Sequence, residues 1–449
     1  MADQVRIAAL NSLQNIISKG TFINLELQRV LSQEDNWSVQ ERGQYTELLY
    51  GTVRWQFYLD HFLARWSSQK LDRLEIPVLA SLRLGLYQIR FRDGTPAHAA
   101  VDATCEALKL ILPRAVGYVN AVLRKAAVET EWQVKAHDKD LQMAITYSHP
   151  LWLVKRWLRR WGEERTLEML QSNNRAPMLW LRCNSLKICP DEFVSLLDSK
   201  QISYKRHEGI PEAFGLIDEP LSSLRNEFDN GLISIQDLGA MYMAHALRPQ
   251  PHETILDLCA APGGKSTHLA ELMQDQGKIV SLELHQTRME LISRQAKRLG
   301  LTSISAFQHD ARMPWPKDEP QQFDKVLLDA PCSGTGVVRR KVDSRWSKDE
   351  SQLIELQKLQ RELLAAAAVS VKAGGQLLYA TCSLEAEENE ANLRWFLKEY
   401  PHFKLEPFVS VTALQELPGA DQGYATLLPT SGDKDGFFLA LMQNTKSIQ

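Results

Sequence analysis

Apolar positions along the first 139 or so residues recur at helical spacing. Val5, Ala8, Ala9, Leu13, Ile16 and Ile17 mark one face, and Gly20 is a natural stop. Ser38 with Glu41 forms a capping-box pattern ahead of a helix carrying Tyr45, Leu48, Leu49 and Val53. Ile76–Phe91 is a further helix with Pro77 in its first turn, and Pro96 opens another that Pro113 ends. Val116–Val128 continues the pattern. After Ser148-His149-Pro150, the run Leu151–Trp161 places Lys155, Arg156, Arg159 and Arg160 among Trp152, Trp157 and Trp161. This pattern fits a basic edge that tracks a phosphate backbone, and it equally fits a helix whose aromatic face is buried while its arginines are solvated.

The period then changes. Short runs at Trp180–Ser185 and Ile202–Lys205, around a helix at Pro190–Ser199, suggest a small α/β module. From Gly231 onward strands and helices alternate. Strands are expected at Thr254–Leu258, Lys278–Leu282, Ser303–Gln308, Val326–Leu328 and Gln376–Ala380, with helices at Gln236–Leu247, His285–Leu299, Ser351–Val371 and Glu385–Glu399. Asp435–Met442 reads as a late strand, antiparallel at an edge. Such alternation implies a mostly parallel, doubly wound α/β sheet. The expected domains are 1–145, all helical; 146–233, a small α/β module; and 234–449, the doubly wound domain.

Composition narrows the class. The chain has 449 residues, 44% hydrophobic and 24% charged, with a formal net charge of −3. These are ordinary values for a globular chain, and no overall basic field points to nucleic acid, so any such contact rests on local patches. No apolar run is long enough to span a bilayer, and Met1–Arg6 lacks the apolar core of a signal peptide. The six cysteines (105, 183, 189, 259, 332 and 382) include no C-x-x-C pair. No metal site is expected, and a reducing cytoplasm suits them.

The candidate chemistry gathers at strand ends. Val326–Leu328 stops at Asp329, and Ala330-Pro331-Cys332-Ser333-Gly334 follows as a loop. Gln376–Ala380 stops at Thr381-Cys382-Ser383. Open α/β sheets bind ligands at that edge, although singly each thiol also fits a small buried hydrophobe. Between Thr254–Leu258 and the next helix lies Cys259-Ala260-Ala261-Pro262-Gly263-Gly264-Lys265, with Glu283 about 20 residues on to bind ribose hydroxyls. The loop lacks G-x-G-x-x-G. Gly264-Lys265-Ser266 fits a P-loop ending, but Cys259 occupies its first glycine position, so a phosphate cradle ranks second. S-adenosylmethionine, an adenosine without phosphates, suits the loop better. Asp310 is a candidate for the adenine amine or for a loop cap. A thiolate adding to carbon 6 of cytosine makes carbon 5 nucleophilic, and a carboxyl group at N3 assists. Thiols beside such a crevice therefore point to pyrimidine 5-methylation.

Asp257–Lys265, Leu328–Gly336, Tyr379–Ser383 with Glu387-Glu388-Asn389, and Asp435–Phe438 together resemble the RNA 5-methylcytosine methyltransferase family. Pro96–Val101 followed by Gly117–Arg124 resembles the helical RNA-binding domain of the antitermination factor NusB. The whole chain resembles the NusB-fused branch of the methyltransferase family. That resemblance implies a Rossmann-like catalytic domain, an all-α NusB-like amino-terminal domain, and small-subunit ribosomal RNA as partner. A monomer is expected, with no DNA and no membrane. It further implies Cys382 as nucleophile, Cys332 in product release, and Asp329 at N3 and near the cofactor. Cys259, Ala260, Ala261, Pro262, Gly263, Gly264, Lys265, Glu283, Asp310 and Asp329 would bind S-adenosylmethionine. One departure stands out: Lys341-Val342-Asp343 follows Arg339-Arg340 where this branch usually has His-Pro-Asp. Rival readings are the same chemistry on transfer RNA, a P-loop-like nucleotidase, and a non-catalytic RNA-binding assembly factor.

Overall fold

The computed structural model describes residues 3–34, 36–92, 94–314, 321–408, 412–415, 417–430 and 434–446. Met1 and Ala2, the start of the expected first helix, lie outside that set. The chain forms two compact units, Met1–Asn174 with Val338–Lys348, and Arg175–Val337 with Asp349–Gln449.

The first unit is helical. Helix Gln4–Lys19 ends where Gly20 takes the left-handed conformation (φ 62°), and the Ser38–Glu41 capping box opens helix Val39–Arg54. Leu10, Leu13, Leu48, Leu49, Leu59, Leu82, Leu86, Val119 and Leu123 are buried together. Arg83 is held bidentately by Asp60 at 2.8 and 2.6 Å. Helix Leu151–Asn174 bends at Gly162 (φ 77°), just beyond the basic stretch. Its Trp157 is 1% exposed, so at that position the buried-face reading holds.

A late segment completes this core. Val342 is fully buried within it. Asp343 accepts the backbone N–H of Ile23 (3.1 Å), at the start of helix Ile23–Leu31, and Trp346 Nε1 donates to the Val53 carbonyl (2.9 Å). The buried Arg345 guanidinium donates to the carbonyls of Arg54, Ser148 and Asn173 and to the Asn174 side chain. The Lys341-Val342-Asp343 departure thus falls on a packing segment, where valine is an apolar core residue.

The second unit holds two sheets. Strands β1 (Leu179–Cys183), β2 (Tyr204–Arg206), β3 (Ala213–Leu216) and β4 (Ile233–Ile235) form an antiparallel sheet in the order β2-β3-β1-β4. The main sheet comprises β5 (Thr254–Asp257), β6 (Lys278–Glu283), β7 (Ile304–Gln308), β8 (Phe323–Asp329), β9 (Val371–Thr381), β10 (Phe403–Leu405), β11 (Tyr424–Leu427) and β12 (Phe437–Asn444). Its order is β10-β12-β9-β8-β5-β6-β7, with β11 also on β12. The strands from β9 to β7 pair in parallel, and β12 runs antiparallel to β9. The expected late strand is therefore antiparallel, but it is not an edge, because β10 and β11 both pair with it. The other difference is at Glu385–Glu399, where the helix begins only at Glu390. Ser383–Asn389 is not helical, because its side chains are committed to the loops described below.

Arg182 on β1 ties the small sheet to helix Gly264–Leu272. Its guanidinium meets both oxygens of Glu271 at 2.8 Å, with both side chains buried. Burial pushes the Glu271 carboxyl upward even against this pairing. Arg182→Met is expected to cost about 3–5 kcal/mol, because it strands a buried carboxylate. Glu271 then protonates more readily, so the loss deepens as pH rises through the acid range. Arg182→Met combined with Glu271→Leu should recover part of it. Guanidinium unfolding at several pH values measures both effects.

Candidate active site

The parallel strands deliver every candidate group to one edge. Asp257 pairs in register with Leu327, and Asp329 with Ala380. The segments after β5, β8 and β9 therefore leave the sheet side by side. The loop after β5 is fixed by its backbone, with Ala260 N–H donating to the Leu282 carbonyl (2.9 Å) and Gly263 N–H to the Ala260 carbonyl (2.8 Å). Gly263 sits at φ +102°, and a Cβ there would meet Ile292 Cα at 3.0 Å, so glycine is required. Gly264 opens the helix, and a Cβ on it meets nothing within 4 Å.

Behind this loop lies Asp257. Its Oδ2 accepts from Ser266 Oγ (2.7 Å), while Oδ1 is buried without a partner. Burial pushes its carboxyl up to about 6. Ser266 is thereby turned away from the metal-binding role that a P-loop serine serves. Burial and the acidic groups around Cys259 drive its thiol strongly upward. Glu283 ends β6, is 5% exposed, and accepts from His285 N–H (3.0 Å), with Arg288 3.5 Å from the same oxygen. Asp310 accepts the Arg312 backbone N–H (3.0 Å) and pairs with its guanidinium, which lowers its carboxyl below the usual range. It caps its own loop, as one of its two sequence readings expects.

Lys265 reaches from the first loop to the second. Its Nζ lies 2.5 Å from Asp329 Oδ2, with the side chains 22% and 20% exposed. Burial opposes the ammonium charge, but Asp329, backed by Asp257, holds the Lys265 pKa above its ordinary value. Cys332 and Cys382 meet with their sulfurs 3.2 Å apart. The hydrogen bond to Cys382, then burial, raises the Cys332 thiol well above its usual range. The two cysteine loops are also joined by backbone: Ala330 N–H donates to the Ala380 carbonyl (2.9 Å) and Gly336 N–H to the Cys382 carbonyl (3.0 Å). Gly436 N–H donates to the Gly336 carbonyl (2.7 Å), and a Cβ on Gly336 would strike Gly436 O at 2.2 Å. This close approach, with a Cβ on Gly436 meeting Gly336 Cα at 2.8 Å, accounts for glycine at both positions.

Sequence reasoning assigned no role to Glu388. It is fully buried, and it accepts from Ser333 N–H (2.8 Å), Gln360 Nε2 (2.8 Å), Ser333 Oγ and Ser383 Oγ. The available signal was the Glu387-Glu388-Asn389 run, which carries part of the family resemblance without a role for its residues. A separate cluster joins Glu212, His245 and His268. One Glu212 oxygen lies 2.6 Å from His245 Nε2 and 2.8 Å from His268 Nε2. Burial and the charge of Arg182 push His268 down to about 3, and its Nδ1 has no partner. Metal-bound imidazoles usually pass that second N–H to an acceptor, so the trio reads as a hydrogen-bonded joint.

Known proteins match the whole chain. A family model described as 16S rRNA methyltransferase RsmB/F matches residues 244–443, the NusB family matches 3–128, and an RsmF/B-like ferredoxin-like domain matches 149–221. The Bacillus subtilis protein named "Probable ribosomal RNA small subunit methyltransferase B" is 35% identical, over 98% of each chain. Ribosomal RNA small subunit methyltransferase B of Sodalis glossinidius is also 35% identical, over 98% of this chain and 97% of its own. The crystal structure of the protein PH0851 superposes with a TM-score of 0.83 at 28% identity, covering 98% of this chain and 99% of that one. No helix among the described residues is long and apolar enough to cross a membrane. With full-length relatives above 30% identity and all three domain models in order, the chain belongs to the 16S rRNA methyltransferase RsmB/F family.

Proposed function

We propose that the protein transfers a methyl group from S-adenosylmethionine to carbon 5 of a cytosine in small-subunit ribosomal RNA, through a covalent adduct on Cys382. The observation that carries this reading is the 3.2 Å approach of two thiols beside the Lys265–Asp329 pair. The cofactor residues fit a nucleoside that bears a positive charge better than a polyphosphate. Ser266 is bound to Asp257, and Lys265 is paired with Asp329. The orphaned Asp257 Oδ1 and the carboxylate of Glu283 add negative charge around the loop, which suits a sulfonium and ribose hydroxyls. Bound there, S-adenosylmethionine supplies an electrophilic methyl group.

The protein's own residues do the rest. The Cys382 thiolate adds to carbon 6, forming a C–S bond and pushing electron density to carbon 5. Cytosine N3 is an acceptor, so Asp329 serves it in the protonated form, and Lys265 Nζ, 2.5 Å from that carboxyl, both orients it and can hand it the proton. After transfer, a general base takes the carbon 5 proton, the C–H electron pair restores the C5–C6 double bond, and the C–S bond breaks to return Cys382 as thiolate. Cys332, in contact with that sulfur, assists the release. The target base must be unpaired or flipped out to reach the thiol. A non-catalytic assembly factor would have no need of two thiols in contact beside a lysine-held carboxyl.

With small-subunit ribosomal RNA and S-adenosylmethionine, Cys332→Ala is expected to accumulate a denaturation-resistant protein–RNA adduct, and Cys382→Ala to form none. Denaturing gel electrophoresis reads both. The reverse pattern makes Cys332 the nucleophile, and methylation of transfer RNA alone overturns the substrate. Lys265→Met is expected to lower the single-turnover methyl-transfer rate by about 100-fold, because the carboxyl loses its orienting charge.

A further inference from the structure

We propose that Glu388 is a positioning residue for methyl transfer: its carboxylate holds the two cysteine loops at one spacing and sets a negative charge beside Cys332. This deepens the adduct reading above and rests on it for the word methyl.

The argument begins with hydrogen-bond inventory. Among the described residues, the groups that meet the Glu388 side chain are Ser333 N–H and Gln360 Nε2, which can only donate, at Oε1, and the hydroxyls of Ser333 and Ser383, which donate at Oε2. Ser333 directly follows Cys332, and Ser383 directly follows Cys382. Gln360 also donates to the Pro331 carbonyl (3.0 Å), on the other side of Cys332. One carboxylate thus grips the residue after each cysteine. Only an ionised carboxylate offers acceptors on both oxygens without a donor of its own. A glutamine of the same shape would turn one end into an NH2 group facing donors, and burial makes such a mismatch costly.

Its backbone is held as well. The Glu388 carbonyl accepts from Tyr379 OH (2.5 Å) and Asn392 Nδ2 (3.3 Å), and the neighbouring Asn389 accepts from Thr381 Oγ1 (2.6 Å) and donates to the Ser383 carbonyl (2.9 Å). No cation forms a salt bridge with Glu388 among the described residues. Among the described residues, Cys382, Glu388 and Asp329 all disfavour a thiolate at Cys332, and Tyr379 lies near it. Lys265 is paired to Asp329 and acts on Cys382 as well.

The test uses the full-length protein without RNA. Iodoacetamide labelling of each cysteine is followed by mass spectrometry from pH 6 to 10, with exposed Cys189 as internal standard. Glu388→Gln is expected to speed Cys332 labelling about fivefold at pH 8 and to move its profile to lower pH, since loss of a nearby negative charge favours the thiolate. Glu388→Asp should fall between. Ser383→Ala, which removes one donor and keeps the charge, should leave the Cys332 profile in place. In methyl transfer, Glu388→Gln should lower kcat about tenfold with KM for RNA nearly unchanged. Labelling rates within about twofold of wild type, alongside a lower melting temperature, would make Glu388 a purely structural residue and overturn the proposal. Labelling involves no RNA, so it separates this inference from the adduct reading: a shift in labelling without any adduct overturns the latter alone.

Discussion

The ion pair between Lys265 and Asp329 is the contact on which the rest of the site depends. Lysine comes from the first turn of the helix after β5, and aspartate from the last position of β8. They meet because β5 and β8 are adjacent parallel strands, so their carboxyl ends open on the same side. The pair couples the cofactor loop to the loop carrying Cys332. The adjacent β8–β9 register then brings in Cys382, because Asp329 stands opposite Ala380, two residues before that cysteine. A one-residue slip in either pairing would turn these side chains to the wrong face. The chemistry is therefore set by the register of three neighbouring strands more than by any single loop.

Much of this was legible before the structure. Apolar runs ending in Asp329 and Thr381 marked buried parallel strands, whose backbone hydrogen bonds depend little on side-chain identity. Gly20, Ser38 and Pro77 marked helix ends through local capping, which acts within a few residues and so shows in sequence. The proximity of Cys332 and Cys382 was inferable only because both follow strands, and strand order itself comes from tertiary pairing.

Most of what escaped is long-range use of polar side chains. Glu385–Glu399 carries a helical pattern, yet Glu388 and Asn389 are taken by partners on two other loops, and the helix waits for Glu390. β12 looked like an edge because the short strands β10 and β11 carry little apolar signal of their own. Arg83 gave no hint of its pairing with Asp60, which lies on the preceding long helix.

The passage of Val338–Lys348 through the helical unit has an evolutionary side. A fused accessory domain is normally a bead on a string, gained or lost by a single cut between genes. Here the chain crosses between units at three places, and Val342 is part of the helical core. Losing residues up to Asn174 would leave a valine, a tryptophan and a buried arginine with nothing to pack against, in a segment that starts two residues after Gly336. A version of the chain without the helical unit would need this stretch rewritten at the same time.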